Sequence, residues 1–199
     1  MVRTRLGLFA ALLVYSVVMR LLPYMLSHFG MTIDPETTIY PWNFSPLLAM
    51  CLFGGACFVQ KRWAFAIPLG AYLIGDLGIW ALTGRFDWAF YPSQPLVYGS
   101  IAMIAVLGFL LRKRRTVGWI AGTGLLAATL FFLITNFGVW AFGATYPKDI
   151  TGLLACYTAG IPFFQRSLAS MLVFSGVLFA PVMLTRPAPA TAEQAIATK

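Results

Sequence analysis

Six apolar stretches separated by short polar or basic segments organise the chain. Most of them approach the ~20 apolar residues that a helix needs to cross the hydrocarbon core of a bilayer. The pattern predicts transmembrane helices over 6–28, 44–60, 63–83, 96–111, 117–142 and 167–185. The sequence therefore predicts an all-α integral membrane protein with a single transmembrane domain over residues 1–185.

Two further segments flank the last predicted helix. The stretch 150–164 is apolar but short, and Gly160 and Pro162 interrupt it. It is therefore predicted to form a short interfacial or re-entrant helix at the outer face of the membrane. Residues 186–199 are rich in Ala, Pro and Thr, which predicts a disordered cytoplasmic tail.

The composition supports the membrane class. Hydrophobic residues make up 60% of the chain and charged residues only 10%, whereas soluble domains average about 25% charged residues. The net charge of +8 does not indicate nucleic-acid binding, because the cations lie in short clusters between apolar stretches. In that position they determine the orientation of membrane helices.

The distribution of Lys and Arg predicts which side each loop faces. If the N-terminus is inside and six helices alternate, the inside segments hold Arg3, Arg5, Lys61, Arg62, Arg112, Lys113, Arg114, Arg115, Arg186 and Lys199, and the outside loops hold Arg85 and Lys148. Such a bias follows the positive-inside rule. The sequence thus predicts a bacterial inner-membrane protein with both termini in the cytoplasm.

Three ionisable residues, Arg20, Asp76 and Arg166, fall within apolar stretches. All three are predicted in the outer half of the membrane, where a charge costs on the order of 3 kcal/mol if it stays unpaired at the bilayer centre. One interpretation is a polar pocket open to the outside. The other is a buried Arg–Asp pair with one arginine that reaches the interface.

Other polar and aromatic side chains lie at the predicted outer ends of the helices. Amides and aromatic rings there either contact a ligand or serve as helix caps, packing groups and interfacial anchors. Together with the charged residues they give the predicted substrate-binding set, which is Arg20, Asn43, Asp76, Asn136, Trp140, Tyr146, Tyr157 and Arg166.

Catalytic motifs are missing from the sequence. It has no Walker A, HExxH or nucleophile-elbow pattern and only one histidine, His28. The cysteines Cys51, Cys57 and Cys156 are expected to be small buried hydrophobic groups. We therefore expect no enzyme activity, no metal site and no resident cofactor, with Cys156 and His28 as weak candidates for axial ligands of a cofactor metal.

Three segments carry a family resemblance: RLLPY in the first helix, NFSPLLAMCLFGGA entering the second, and TNFGVWAFGATYPKDITGLLACYTAGIPFF. They resemble a family of small bacterial membrane proteins of uncharacterised function, over most of residues 6–185. That family in turn resembles the S components of energy-coupling-factor (ECF) vitamin transporters.

The resemblance implies an S-component-like fold with an outward-facing pocket roofed by loops. It also implies a coupling membrane subunit and cytoplasmic ATPases as partners. A related solitary cobalamin-uptake protein uses a cysteine to ligate cobalt, and Cys156 would take that role here.

These observations predict a transport protein that binds a small organic nutrient or cofactor for uptake, vitamin-like and with cobalamin as one possibility. Its partners are a small-molecule substrate and the lipid bilayer, with no nucleic acid. The alternative is an accessory membrane subunit without a ligand, in which Arg20, Asp76 and Arg166 are paired and the space between them is filled. An enzyme acting on lipid would require Asp76, His28 and Cys156 within hydrogen-bond distance.

Overall fold

The computed structural model describes residues 3–31 and 44–184, and the regular elements in these two ranges are helices. They are α1 (Arg3–His28), α2 (Leu47–Cys57), α3 (Lys61–Thr83), α4 (Phe86–Ala89), α5 (Gln94–Gly108), α6 (Val117–Phe142) and α7 (Ile150–Leu184). A 3₁₀ segment, Phe109–Arg112, extends α5. Asn43, most of the first predicted outer loop and the predicted tail 186–199 lie outside the described residues.

The predicted all-α class is confirmed, and the helices have the length and apolar character of membrane spans. Five segments are long and apolar enough to cross a membrane, namely Gly7–Ser27, Lys61–Thr83, Phe86–Arg112, Val117–Phe142 and Ile150–Ala180. The sixth apolar helix, α2, has only 11 residues, which corresponds to about 16 Å. Six helices thus lie where six were predicted, but α2 is too short to cross a bilayer by itself.

The predicted separate helix near 150–164 was wrong, because α7 continues without interruption for 35 residues. Pro162 lies inside it, as Pro23 and Pro68 lie inside α1 and α3. Proline removes one backbone donor, and membrane helices tolerate this loss. Gly160 reflects close packing, since a Cβ at this position would meet the side-chain oxygen of Asn136 on α6.

Helix α2 lies at the centre of the bundle, and its residues from Leu48 to Ala56 are buried. It crosses α5 at two glycines: a Cβ at Gly55 would overlap with the carbonyl of Ala105, and one at Gly108 would overlap with that of Leu52. Small residues allow this close approach of helices in lipid. The aromatic pair Phe53–Phe179, with ring centroids 5.1 Å apart, joins α2 to α7.

Two arginines after α5 donate hydrogen bonds to the backbone carbonyls at the C-terminal end of α2. Arg112 donates to the carbonyls of Gly55 and Phe58, each at 2.8 Å, and Arg115 donates to the carbonyl of Ala56 at 2.8 Å. The last carbonyls of a helix have no partner within the helix, and cationic donors stabilise that end. Arg112 and Arg115 belong to the basic cluster that predicts the orientation of the helices in the membrane. They therefore also hold α2 against α5.

Helices α6 and α7 form a long antiparallel hairpin. Near one end of it, Gly160 lies against Asn136, and further along Gly124 lies against Met171. The aromatic rings of Phe132 and Phe164 lie between these two contacts, with centroids 4.9 Å apart. The hairpin forms one wall of the bundle beside α2 and α5.

Candidate functional site

The carboxylate of Asp76 on α3 is fully buried and accepts hydrogen bonds from three side chains. The donors are Nη2 of Arg20, Nε2 of Gln94 and the hydroxyl of Tyr98, the last at 2.7 Å. Buried carboxylates require both charge compensation and hydrogen bonds. Arg20 supplies the opposite charge, and the two residues from α5 supply further donors.

Three residues of α3 hold the side chain of Arg20. Tyr72, Gly75 and Asp76 have the i, i+3, i+4 spacing of one helix face. The guanidinium carbon of Arg20 lies 3.8 Å from the centroid of the Tyr72 ring, a cation–π geometry. A Cβ at Gly75 would overlap with Cδ of Arg20, so glycine leaves the space that the arginine stem occupies.

A cavity of about 380 Å³ lies beside this arginine, between α1, α2, α3, α6 and α7. Its walls combine hydroxyl groups, aromatic rings and one cation. They are formed by Ser16, Arg20, Pro23, Tyr24, Ser45, Leu47, Leu48, Tyr72, Ile79, Trp88, Tyr91, Phe131, Ser167 and Ser170. The volume is at the lower end of the ~300–1,000 Å³ found for small-molecule sites, which also combine apolar walls with a few polar groups.

Arg20 faces the cavity with unused hydrogen-bond capacity. A guanidinium group carries five N–H donors, and one nitrogen, Nη2, contacts Asp76. The buried Nε has no hydrogen-bond partner within the described part of the chain. The side chain is 25% exposed, whereas Asp76 lies behind it and does not line the cavity.

The start of α2 forms another part of the wall. Ser45 precedes the helix, and its carbonyl accepts a hydrogen bond from Ser170 of α7 at 3.0 Å. Pro46 occupies the N-cap position and makes no side-chain cap hydrogen bond, while Oγ of Ser45 accepts from the N–H of Leu47 at 3.4 Å. The N-terminal end of a helix carries a partial positive charge, so α2 adds to the positive potential that Arg20 creates in the cavity.

The cavity extends towards α4. The ring of Trp88 lies 6.2 Å from that of Tyr24, centroid to centroid, and the guanidinium carbon of Arg85 lies 4.9 Å from the Trp88 ring. Arg85 in turn donates to Asp87 from Nε at 2.9 Å and from Nη2 at 2.6 Å. These hydrogen bonds raise the pKa of the exposed Arg85 guanidinium, which stays charged next to the tryptophan.

Among the residues predicted for the site, Arg20 and Asp76 come together as an ion pair. Arg166 does not join them. Because α7 is continuous, Arg166 lies midway along it rather than near a helix end, and its side chain is exposed. An arginine that faces hydrocarbon at such a depth costs about 3 kcal/mol on insertion scales.

The other predicted residues in the described ranges contact the backbone near one end of the α6–α7 hairpin and do not line the cavity. Asn136 donates to the carbonyl of Phe132 at 2.9 Å, Trp140 to that of Pro147 at 2.8 Å, and Tyr157 to that of Leu133 at 2.8 Å. Tyr146 lies in the connection between the two helices and is half-buried.

The groups considered for metal ligation or catalysis have separate partners. The thiol of Cys156 faces the carbonyl of Asn136 at 3.4 Å, while Asp76 contacts residues of α1 and α5. The side chain of His28 lies outside the described part of the structure. Over residues 3–31 and 44–184, no group of three His, Cys, Asp or Glu side chains is arranged to hold a metal ion.

Sequence reasoning missed several residues around Arg20. Tyr72 and Gly75 share a helix face with Asp76, and this spacing was visible in the sequence. Gln94 and Tyr98 approach Asp76 from another helix, which no local pattern reveals. The serines of the cavity wall gave no signal, because small polar residues are frequent in membrane helices.

A family model described as "Family of unknown function (DUF6580)" matches residues 2–192 of the chain. No protein with curated function matches, and neither does any solved structure. The chain therefore belongs to the DUF6580 family.

Proposed function

Since the DUF6580 family has no assigned function, we propose that this member binds a small organic molecule in the cavity beside Arg20 and takes part in its uptake across the membrane. The cavity of about 380 Å³ with the cationic, 25% exposed side chain of Arg20 in its wall carries the proposal. An arginine at membrane depth with donors to spare is expensive to keep unless something accepts from it.

The charge balance indicates the chemistry of the ligand. Asp76 already compensates Arg20, so an anionic ligand would leave excess negative charge in a buried site. A neutral or zwitterionic molecule with a carbonyl-type oxygen avoids this cost. Its oxygen would accept from Arg20, its other polar atoms would contact the serine hydroxyls, and its flat apolar part would lie against the rings of Tyr91, Trp88 and Phe131.

The volume of the cavity argues for a small ligand rather than cobalamin, which is far larger than about 380 Å³. A vitamin-like compound with one or two rings fits the proposal. The cysteine considered for cobalt ligation, Cys156, contacts the α6–α7 hairpin away from the cavity wall. Cobalamin is therefore the less favoured substrate.

The S-component-like arrangement remains part of the proposal. In this arrangement the cavity faces outward in one state, and a coupling membrane subunit with cytoplasmic ATPases drives the change that releases the ligand inside. The described chain has the required size and a central helix, α2, whose N-terminal end lies in the cavity wall. The protein itself performs no bond chemistry in this proposal.

The accessory-subunit alternative has one observation in its favour, which is that Arg20 and Asp76 are paired. It also requires the space beside them to be filled, and a cavity lies there instead. The alternative predicts that the purified protein carries no small molecule. Ligand binding is thus the property that separates the two proposals.

Native mass spectrometry of the detergent-purified protein, expressed in its own host in rich medium, tests the proposal. We expect a stoichiometric small molecule that is lost from Arg20→Lys, because lysine lacks the planar fork of donors, and from Ser167→Leu, which fills the cavity. Arg114→Lys is the matched control, since Arg114 is exposed and does not line the cavity. A clean protein mass for the parent, with no thermal shift across a vitamin panel, overturns the proposal.

A further inference from the structure

Arg166 is a cation on the outer surface of the helix bundle at membrane depth. Its side chain is exposed, and no hydrogen bond or ion pair joins it to any described residue. The other membrane arginine, Arg20, is paired with a buried carboxylate. Arg166 is therefore a charge for which the described parts of this chain supply no partner.

The depth of Arg166 follows from the packing of α7 on α6. It lies between the contacts of Gly160 with Asn136 and of Met171 with Gly124, opposite the middle of α6. It also lies 16 residues after the start of α7, which is about 24 Å along the helix. This distance is several times the length of an arginine side chain, so the guanidinium cannot easily reach the headgroups at that end.

Small residues accompany Arg166 on the same exposed face of α7. The spacing alternates between four and three residues over Ala155, Ala159, Pro162, Arg166, Ala169, Val173 and Gly176, and all except the half-buried Pro162 are exposed. This is the spacing of a helix seam that packs against a neighbouring helix. Small residues along such a seam permit the close contact of helices in lipid.

We propose that this face of α7 binds a transmembrane helix of a different membrane protein, which carries a carboxylate at the depth of Arg166. A second copy of this chain fits poorly, because parallel α7 helices would place two Arg166 side chains against each other. Among the described carboxylates, Asp76 is buried and paired, and Asp87 and Asp149 lie near helix ends. The inference does not depend on whether the cavity binds a ligand.

Site-directed photocrosslinking in membranes of the native host tests this interface. A benzophenone amino acid is placed at Ala159 or at Ala169, and in the control at Ile74, which is 58% exposed on α3. We expect crosslinks from the two α7 positions and not from Ile74. The crosslinked peptide should map to a transmembrane helix of another protein that contains Asp or Glu.

Charge variants decide whether Arg166 itself makes the contact. Arg166→Asp should lower the crosslink yield by roughly tenfold or more, because it places like charges together at a buried contact. Exchange of the partner's carboxylate for arginine should restore the yield. Arg166→Leu should keep the thermal stability of the purified protein, since no described contact is lost, while it weakens the crosslink.

Three crosslinking patterns overturn the inference. They are crosslinks between two copies of this chain, intramolecular crosslinks to residues 32–43, and adducts with lipid alone. A crosslink to another protein whose yield is unaffected by Arg166→Asp also overturns it. If Arg166→Asp loses the crosslink but the purified variant still binds its ligand, the interface on α7 acts independently of the cavity.

Discussion

Gly75 lies directly against the side chain of Arg20, and a methyl group at residue 75 would overlap with Cδ of the arginine. The glycine thus determines whether Arg20 can lie flat between the Tyr72 ring and Asp76. A single hydrogen atom in place of a side chain is what lets α1 and α3 share a buried ion pair.

Gly75→Ala should displace Arg20 and lower the free energy of unfolding by about 1–3 kcal/mol, the usual cost of an overpacked contact. Ligand binding in the cavity should be lost with it. The free energy is measured by SDS titration in mixed micelles. Gly70→Ala on the same helix is the control, because its Cβ would meet no other atom within 4 Å, and equal destabilisation by both variants would contradict the prediction.

Asp76→Leu should destabilise the protein by about 3–5 kcal/mol, because it leaves Arg20 as an uncompensated buried charge. The double variant Arg20→Met/Asp76→Leu should recover part of this loss. Recovery should stay incomplete, since the hydroxyl of Tyr98 loses its acceptor and Gln94 keeps only the carbonyl of Ala89. A double variant as unstable as Asp76→Leu alone would show that the pair is not the source of the effect.

Arg112→Ala should destabilise the bundle by about 1.5–3 kcal/mol for each charged hydrogen bond that is lost. Arg112 contacts the carbonyls of Gly55 and Phe58 at the end of α2. Lys113→Ala is the matched control, because Lys113 is exposed and surface changes usually stay within about 0.5 kcal/mol. The midpoints of the two variants are compared in a thermal unfolding assay, and equal midpoints would contradict the prediction.

Gly55→Ala should separate α2 from α5, since its Cβ would overlap with the carbonyl of Ala105. Backbone cannot move as freely as a side chain, so we expect a cost at or above the ~1–3 kcal/mol of ordinary overpacking. Gly99→Ala on α5 has open space around its Cβ and should be neutral. Similar unfolding midpoints for both variants would count against the tight crossing.

The orientation of the helices remains a prediction from the positive-inside rule. The native cysteines Cys51, Cys57 and Cys156 are first replaced. Single cysteines in place of Arg85 and of Lys113, both exposed, should then react differently with a membrane-impermeant maleimide in intact cells of a strain that lacks the outer-membrane barrier. Residue 85 should be labelled and residue 113 protected. The reverse labelling would place the termini outside.

The sequence predicted the membrane helices well because each apolar stretch is long and bounded by charges or turn residues. It failed at 150–164, where Gly160 and Pro162 look like a break. Within lipid, a helix keeps its backbone hydrogen bonds even at the cost of one missing donor, and Gly160 serves the packing of α7 on Asn136. Short-range sequence signals for helix breaks are weaker in a bilayer than in water.

For the candidate site, the sequence identified Arg20 and Asp76 because a charge in an apolar stretch is rare. It placed Asn136, Trp140 and Tyr157 in the same set, although these groups bond to backbone carbonyls of the α6–α7 hairpin. Whether a polar side chain faces a cavity or a neighbouring carbonyl depends on how helices rotate against each other. That rotation is a property of tertiary packing and leaves no local trace in the sequence.

Helix α2 has only 11 residues, about half of what a membrane span needs, and this short length bears on ion leakage across the membrane. Its N-terminal end and Arg20 both present positive charge to the same cavity of about 380 Å³, while the compensating Asp76 lies behind the arginine. The ion pair is neutral as a whole, but its positive member lies nearer to the cavity, and this arrangement disfavours protons and metal cations there, as positively charged constrictions do in water channels. We expect that the pocket can fill with solvent between binding events without dissipating the proton or sodium gradient of the cell.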